Sequence, residues 1–184
     1  MKTSSHFDHT SVVLKVVLLA GLCGGLAEIL WVQLYSLLAG QSSVVVASEV
    51  TASFSSSLAQ TAAAPEIGVL IHLVLSVFVA LIYARLVWLP FTQRRGPGVS
   101  LAVASGVLAC IWAINFLLLL PLVNATFISL LPYSVTLGSK LLFGAAMAGV
   151  FQLAQSRSPG GKRLFRHENN THSEVNNSSV IKPR

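Results

Sequence analysis

Four long apolar stretches dominate the chain, at about residues 12–39, 67–89, 99–120 and 133–155. Crossing the hydrocarbon core of a bilayer takes about 20 helical residues, and each stretch supplies them. Lipid offers a backbone no hydrogen bonds, so an apolar run of this length forms a helix that satisfies its own peptide groups. The pattern predicts an all-α, polytopic membrane protein with four transmembrane helices. Proline punctuates it. Pro65 and Pro90 flank the second stretch, Pro97 and Pro121 flank the third, and Pro132 precedes the fourth. With no proline inside a span, the spans read as helices with complete hydrogen-bond ladders.

Two polar regions separate or follow the spans. In the long loop at 40–65, Val46, Val50, Phe54 and Leu58 recur every fourth residue, on one helical face. That spacing fits a short amphipathic helix at the membrane surface. The Ser- and Ala-rich composition fits a disordered linker equally well. The segment 156–184 is rich in Asn, Ser and basic residues and has too few apolar side chains to fold alone, so it reads as a disordered tail.

Composition narrows the class. The 184 residues are 54% hydrophobic and 10% charged, with a mean hydropathy of +0.74. A soluble domain carries about 25% charged residues, so an ordinary soluble globular protein is excluded. Two cysteines exclude a disulfide scaffold.

Charge then sets an orientation. Lys2 and Lys15 flank the start of the first span. Arg85, Arg94 and Arg95 close the second, and Arg157, Lys162, Arg163, Arg166, Lys182 and Arg184 follow the fourth. The loops at 40–65 and 121–132 contain no Lys or Arg. By the positive-inside rule residues 1–11, the loop after span two and the tail are cytoplasmic, giving an N-in/C-in topology. The basic run GKRLFR at 161–166 suits anionic lipid headgroups, and no nucleic-acid partner is needed to explain it. A cleaved signal peptide would have an apolar core of about 7–15 residues. The run here is longer. Leu22 also precedes Cys23 where a lipoprotein cleavage box has a small residue, so the segment reads as an uncleaved helix. Asn124-Ala125-Thr126 and Asn177-Ser178-Ser179 match the glycosylation pattern, the latter on the cytoplasmic side of this topology.

Ionisable groups inside a span cost about 2.5–3.5 kcal/mol each on insertion scales and mark functional positions. Glu28, His72 and Lys140 are such groups, with Asn115 and Gln33 as neutral companions. Lys15 and Arg85 lie near span ends and can snorkel. At 1.5 Å per residue, Glu28 falls about 13 Å, Lys140 about 10 Å, and His72 and Asn115 about 8 Å below the outer interface. One polar residue from each span thus sits at a similar depth. Small residues share their helical faces: Gly21, Gly24 and Gly25 before Glu28, Ser76 and Ala80 after His72, and Thr136, Gly144 and Ala148 around Lys140. Such faces let helices approach closely. The expectation is a buried cluster, Glu28 opposite Lys140 or His72, with Asn115 supplying hydrogen bonds and Gly21, Gly25, Gly144 and Ala148 packing the helices. The cluster either holds the helices in register or serves as a site for protons, a cation or a small polar ligand.

Other chemistry is thin. His72, Glu28 and Cys110 include ligand types, but no HxxxH or CxxC pair is present, so no metal or other cofactor is expected. Cys23 and Cys110 read as small packing residues. No nucleotide loop, GxSxG or HExxH motif occurs, and no enzyme is predicted. Tyr83 and Trp88 at one edge, and Tyr35 and Tyr133 at the other, fit aromatic belts. Trp31 and Trp112 lie deeper, beside the cluster. Spans two and four align weakly, as do spans one and three, pairing His72 with Lys140.

The segments GLAEILWVQLYS, EIGVLIHLVLSVFVALIYA and NFLLLLPLVNATFISLLPYSVTLGSKLLFG resemble a group of small, uncharacterised bacterial inner-membrane proteins with four helices. Some of these carry a sodium:proline symporter label. The resemblance covers roughly residues 12–155. It implies the four-helix fold and the inner membrane, without an established activity. Sodium/solute symporters have many more spans and broken helices at the ion site. Three roles follow, in order of expectation. The first is a non-catalytic accessory or assembly subunit, with small-residue faces such as Ala102-xxx-Gly106 for a membrane-protein partner. The second is a small ion- or proton-coupled transporter or channel, as a homo-oligomer, using the Glu/His/Lys cluster. The third is an intramembrane enzyme.

Overall fold

The computed structural model describes residues 4–92 and 95–157. The expectation of a disordered tail falls on residues 158–184, outside the described residues. Every regular element among the described residues is helical, and four helices are long and apolar enough to cross a membrane: Val12–Leu38, Ala64–Thr92, Pro97–Val123 and Tyr133–Ser156. This is the architecture of a multi-pass membrane protein.

Helix α1 (Ser4–Leu38) shows why a nearly uniform apolar run still has a preferred face. Leu14, Leu18, Leu22, Leu26, Leu30 and Leu34 recur every fourth residue and are all exposed, a leucine stripe for lipid. Val17, Ala20 and Glu28 on other faces are buried. The helix ends on Gly40, whose φ of +65° is the left-handed conformation glycine adopts without a Cβ penalty. The amide of Gln41 donates to the Ser36 carbonyl at 2.8 Å and that of Gly40 to the Leu37 carbonyl at 3.4 Å, closing the helix in a Schellman motif.

The loop at 40–65 is helical in its first half. Helix α2 (Ser43–Ala52) and the single turn α3 (Ser56–Ala59) break the four-residue stripe between Val50 and Phe54. Val46 is buried, whereas Phe54 and Leu58 are exposed. α2 packs on the start of α4 (Ala64–Tyr83) rather than lying free on a surface. A Cβ on Gly68 would collide with the Ala47 carbonyl, so glycine permits this contact. The Thr51 hydroxyl donates to the Ala64 carbonyl at 2.6 Å.

The prolines do not end the spans where the sequence pattern placed them. α4 continues as a π-helix over Ala84–Thr92 with Pro90 inside it. α5 (Pro97–Ile114) continues as a second π segment, Asn115–Leu119, and then as α6 (Leu120–Val123), which contains Pro121. A proline in an α-helix lacks the N–H that the carbonyl four residues back requires. In a π segment the carbonyls bond one residue further along, so the missing donor and the ring are accommodated and the helix runs on. Asn124 then caps α7 (Ala125–Leu130), its Oδ1 accepting from the Phe127 amide at 3.2 Å. Helix α8 (Tyr133–Arg157) completes the chain.

α1 and α8 form the centre of the bundle. α4 lies against α1, and α5 against α8. The contacts are made by small residues. A Cβ on Gly21 would lie 2.6 Å from the Val77 Cα, and one on Gly25 would lie 2.6 Å from the Ser76 hydroxyl. Gly144 meets the backbone of Ala104 and Ser105 in the same way, at 3.2 Å. α4 and α5 join mainly through the π segment Ala84–Thr92. Both hairpins, α1 with α4 and α5 with α8, pack internally, but α1 and α8 also pack on each other while α4 and α5 do not, so the halves are not related by a symmetric contact.

At the end of the bundle away from α2, the core is dense: Val17, Tyr83, Trp88, Leu108, Phe143, Met147 and Phe151 are buried together. Trp88 stacks on Phe151 with ring centroids 4.6 Å apart. Tyr83 and Trp88 are therefore core residues, not belt residues. Tyr133 is exposed and Tyr35 half-buried.

Candidate functional site

Glu28 is carried by α1, His72 by α4 and Lys140 by α8, each on the side of its helix that packs on a neighbour. They converge. The Lys140 Nζ lies 2.6 Å from Glu28 Oε1, a charge-assisted hydrogen bond. The Ser139 hydroxyl is 3.1 Å from the same oxygen and 2.7 Å from the Thr136 carbonyl, so its single proton serves one acceptor at a time. His72 Nε2 lies 3.7 Å from Glu28 Oε2, beyond hydrogen-bond reach. Glu28 Oε2 and His72 Nε2 are both buried and have no hydrogen-bond partner in the protein. One carboxylate oxygen is thus fully engaged and the other, facing the imidazole, is not.

The other expected members fall differently. Asn115 opens the second π segment and lines the cavity beside Glu28. Its side chain makes no hydrogen bond to the cluster among the described residues, although it shares that cavity with Glu28, His72 and Lys140. Gln33 is exposed and lines the space next to Glu28 towards α2. Cys110 points outward from α5, away from the cluster, and Cys23 is half-buried. Among the described residues no group of three His, Cys, Asp or Glu side chains comes together that could hold a metal ion.

Trp31 and Trp112, expected beside the cluster, hold it through hydrogen bonds that the sequence does not specify. Trp31 Nε1 donates to the Val135 carbonyl at 3.0 Å. Trp112 Nε1 donates to Thr136 Oγ1 at 2.9 Å, and Thr136 Oγ1 donates to the Tyr133 carbonyl at 3.1 Å. The two deep tryptophans therefore pin the first turns of α8 from either side, one turn ahead of Lys140. Ser139 was discoverable: Thr136, Ser139, Lys140 and Phe143 follow the i, i+3, i+4, i+7 spacing of one helical face.

Two cavities meet at Glu28 and His72. The smaller, about 110 Å³, lies beneath α2 and is lined by Val46, Ala47, Val50, Gly68, Phe127 and Thr136, among others. The larger, about 500 Å³, lies where α4 and α5 part and is lined by Leu75, Val79, Ile111, Asn115, Leu119 and Lys140, among others. α2 covers this region and is itself tied down. Asn124 Nδ2 lies within hydrogen-bond distance of the Glu49 carbonyl at 3.2 Å, Glu49 Oε2 at 2.9 Å and Ser53 Oγ at 3.1 Å. Asn124, read in the sequence as a glycosylation match, is used here as a helix cap and a clasp.

Fold and site together define an all-helical, multi-pass membrane protein with a buried ionisable cluster between two cavities. No family model matches the chain, no curated protein matches it, and no solved structure matches it.

Proposed function

We propose that the chain is a small proton- or ion-coupled transporter of the bacterial inner membrane, with both termini in the cytoplasm and Glu28, His72 and Lys140 as its binding site. The observation that carries this reading is the open side of the cluster. Buried polar groups almost always find partners; other buried groups here, Tyr83, Trp88 and Ser100 among them, also have none in the protein, and the cluster differs in setting an acid against a base. Here Glu28 Oε2 and His72 Nε2 face each other unpartnered, next to two cavities. Neither atom is exposed and they lie 3.7 Å apart, a spacing that suits a proton exchanged between carboxylate and imidazole. In the N-in orientation the cavities lie in the outer half and the dense core of Tyr83, Trp88 and Phe151 closes the inner half.

Two measurements test the proposal. Proton flux into liposomes holding the full chain, driven by a potassium diffusion potential, is expected to exceed that of empty liposomes and to fall to their level in Glu28→Gln. A folded wild-type protein without flux overturns the proposal. For the orientation, Gln41→Cys in a background with Cys23 and Cys110 replaced by alanine is expected to react with an impermeant thiol reagent from outside intact cells. Labelling only after the cells are opened reverses the topology.

A second reading, an accessory subunit, has its own observation. Ala102 and Gly106 on α5 are exposed, and a Cβ on Gly106 would meet nothing within 4 Å. Gly149 on α8 is exposed with nothing within 4 Å as well, whereas Gly21, Gly25 and Gly144 are in contact with a neighbouring helix. A stoichiometric second protein in native mass spectra of particles extracted without detergent would favour this role.

A further inference from the structure

The carboxylate at the centre of the cluster is shut away from water on both of its oxygens. Glu28 Oε1 is taken by Lys140 at 2.6 Å and Ser139 at 3.1 Å. Glu28 Oε2 is buried and faces the buried His72 Nε2 at 3.7 Å, with no room for a molecule between them. A proton bound for Oε2 therefore does not arrive directly from water. His72 is the more open of the two residues: its side chain is 21% exposed against 10% for Glu28. Of its two ring nitrogens, Nε2 alone is both buried and unpartnered. The ring also lines both cavities, so it stands between the carboxylate and open space.

An imidazole suits that position. Its neutral form has one nitrogen that donates and one that accepts, which makes histidine a proton shuttle. Starting from the Nε2–H tautomer, Nδ1 accepts a proton and the ring becomes an imidazolium. Nε2 then gives its proton to Glu28 Oε2, leaving a neutral carboxyl and a neutral ring protonated on Nδ1. The same steps in reverse return the proton. Bringing Nε2 and Oε2 from 3.7 Å to hydrogen-bond distance takes about 0.5–1 Å of side-chain motion.

The smaller cavity is the supply. Its volume is about 110 Å³, and a buried water takes about 10–15 Å³ of such space where polar partners are at hand. Gln33, Ser43, Thr136 and Ser139 offer those partners along its wall, which ends at Glu28 and His72. Gln33 is exposed, so the polar wall reaches the surface beside α2.

We infer that His72 is the proton relay of this site: water in the cavity beneath α2 delivers protons to the ring, and Nε2 hands them to Glu28 Oε2. This rests on the transport reading of the same site and assigns the order in which its residues act.

The full chain in liposomes tests it. Time-resolved infrared spectroscopy after photorelease of protons outside the vesicles follows the carbonyl band of protonated Glu28, assigned by its loss in Glu28→Gln. A pH dye in the lumen reads flux from the same sample. His72→Phe keeps a ring in place and removes both nitrogens. In this variant the band is expected to rise about 100-fold more slowly, the lower end of what a positioned acid–base side chain contributes. Val32→Trp, which fills the cavity beneath α2 and leaves Glu28 and His72 in place, is expected to slow the band as well. A wild-type rate in folded His72→Phe or in folded Val32→Trp overturns the relay, as does a wild-type Glu28 that takes up no proton. Flux that is lost in Glu28→Gln and kept in His72→Phe overturns the relay and leaves the transport reading standing. Protonation that depends on His72 without any flux supports the relay and overturns coupled transport.

Discussion

Glu28 holds its place inside an apolar bundle because three neighbours answer it. Lys140 supplies the opposite charge at 2.6 Å, Ser139 a hydroxyl at 3.1 Å, and His72 a ring that stops at 3.7 Å. In a low-dielectric setting the pair survives only while both members are present. Removing one partner of a buried pair typically costs about 3–5 kcal/mol, because the remaining charge is stranded. Lys140→Met is therefore expected to destabilise the protein by about that amount, and Lys140→Met with Glu28→Gln to restore much of the loss. Steric-trapping measurements of unfolding in lipid bicelles read both values. The three ionisable partners were legible in the sequence, since a charge within a span is rare and conspicuous. Asn115 lines the same cavity as the three charged residues, but equal depth did not bring its side chain within hydrogen-bond reach of them. Trp31 and Trp112 were placed beside the cluster but not their hydrogen bonds, and Ser139 was missed, because a neutral polar side chain carries little signal until its acceptor is known.

At the scale of helices, the contacts depend on how close two backbones come. Gly21 on α1 meets the backbone of α4 at Val77, where a Cβ would lie at 2.6 Å. Backbone cannot rotate aside as a side chain can, so the helices must separate. Gly21→Ala is expected to destabilise the bundle by about 1–3 kcal/mol, the usual cost of overpacking. Gly106→Ala, with nothing within 4 Å of its Cβ position, is expected to stay within about 0.5 kcal/mol of wild type. The same bicelle measurement on both variants checks the contrast, and equal effects would contradict the packing described here. The number, order and approximate limits of the four spans were readable from hydropathy. Their ends were not. Pro90 and Pro121 are normally stop signals, and the π segments that let the helices run on leave no pattern in the sequence. The four-residue stripe at Val46 to Leu58 gave helix α2 its first half, but not its end at Ala52 or its seat on α4, which depends on the bare backbone of Gly68.

For the whole molecule, the bundle is densely packed at one end and hollow at the other, beneath the cover of α2. Tyr83, Trp88, Phe143, Met147 and Phe151 fill the end away from α2, while Glu28 and His72 sit where two cavities meet under and beside α2. Tyr83 and Trp88 looked like membrane-edge anchors because position along a helix says nothing about which way it faces. Their burial makes the seal. A transporter needs such a barrier on one side of its site and access on the other, and a merely structural bundle needs neither. The central claim is that Glu28 and Lys140 meet as an ion pair inside this bundle. Solid-state NMR of the full chain in lipid bilayers, with the Lys140 side-chain nitrogen and the Glu28 carboxyl carbon isotopically labelled, measures that contact directly. The account predicts strong dipolar coupling between the two labels, lost in Glu28→Gln. The absence of coupling in the wild-type protein would contradict it.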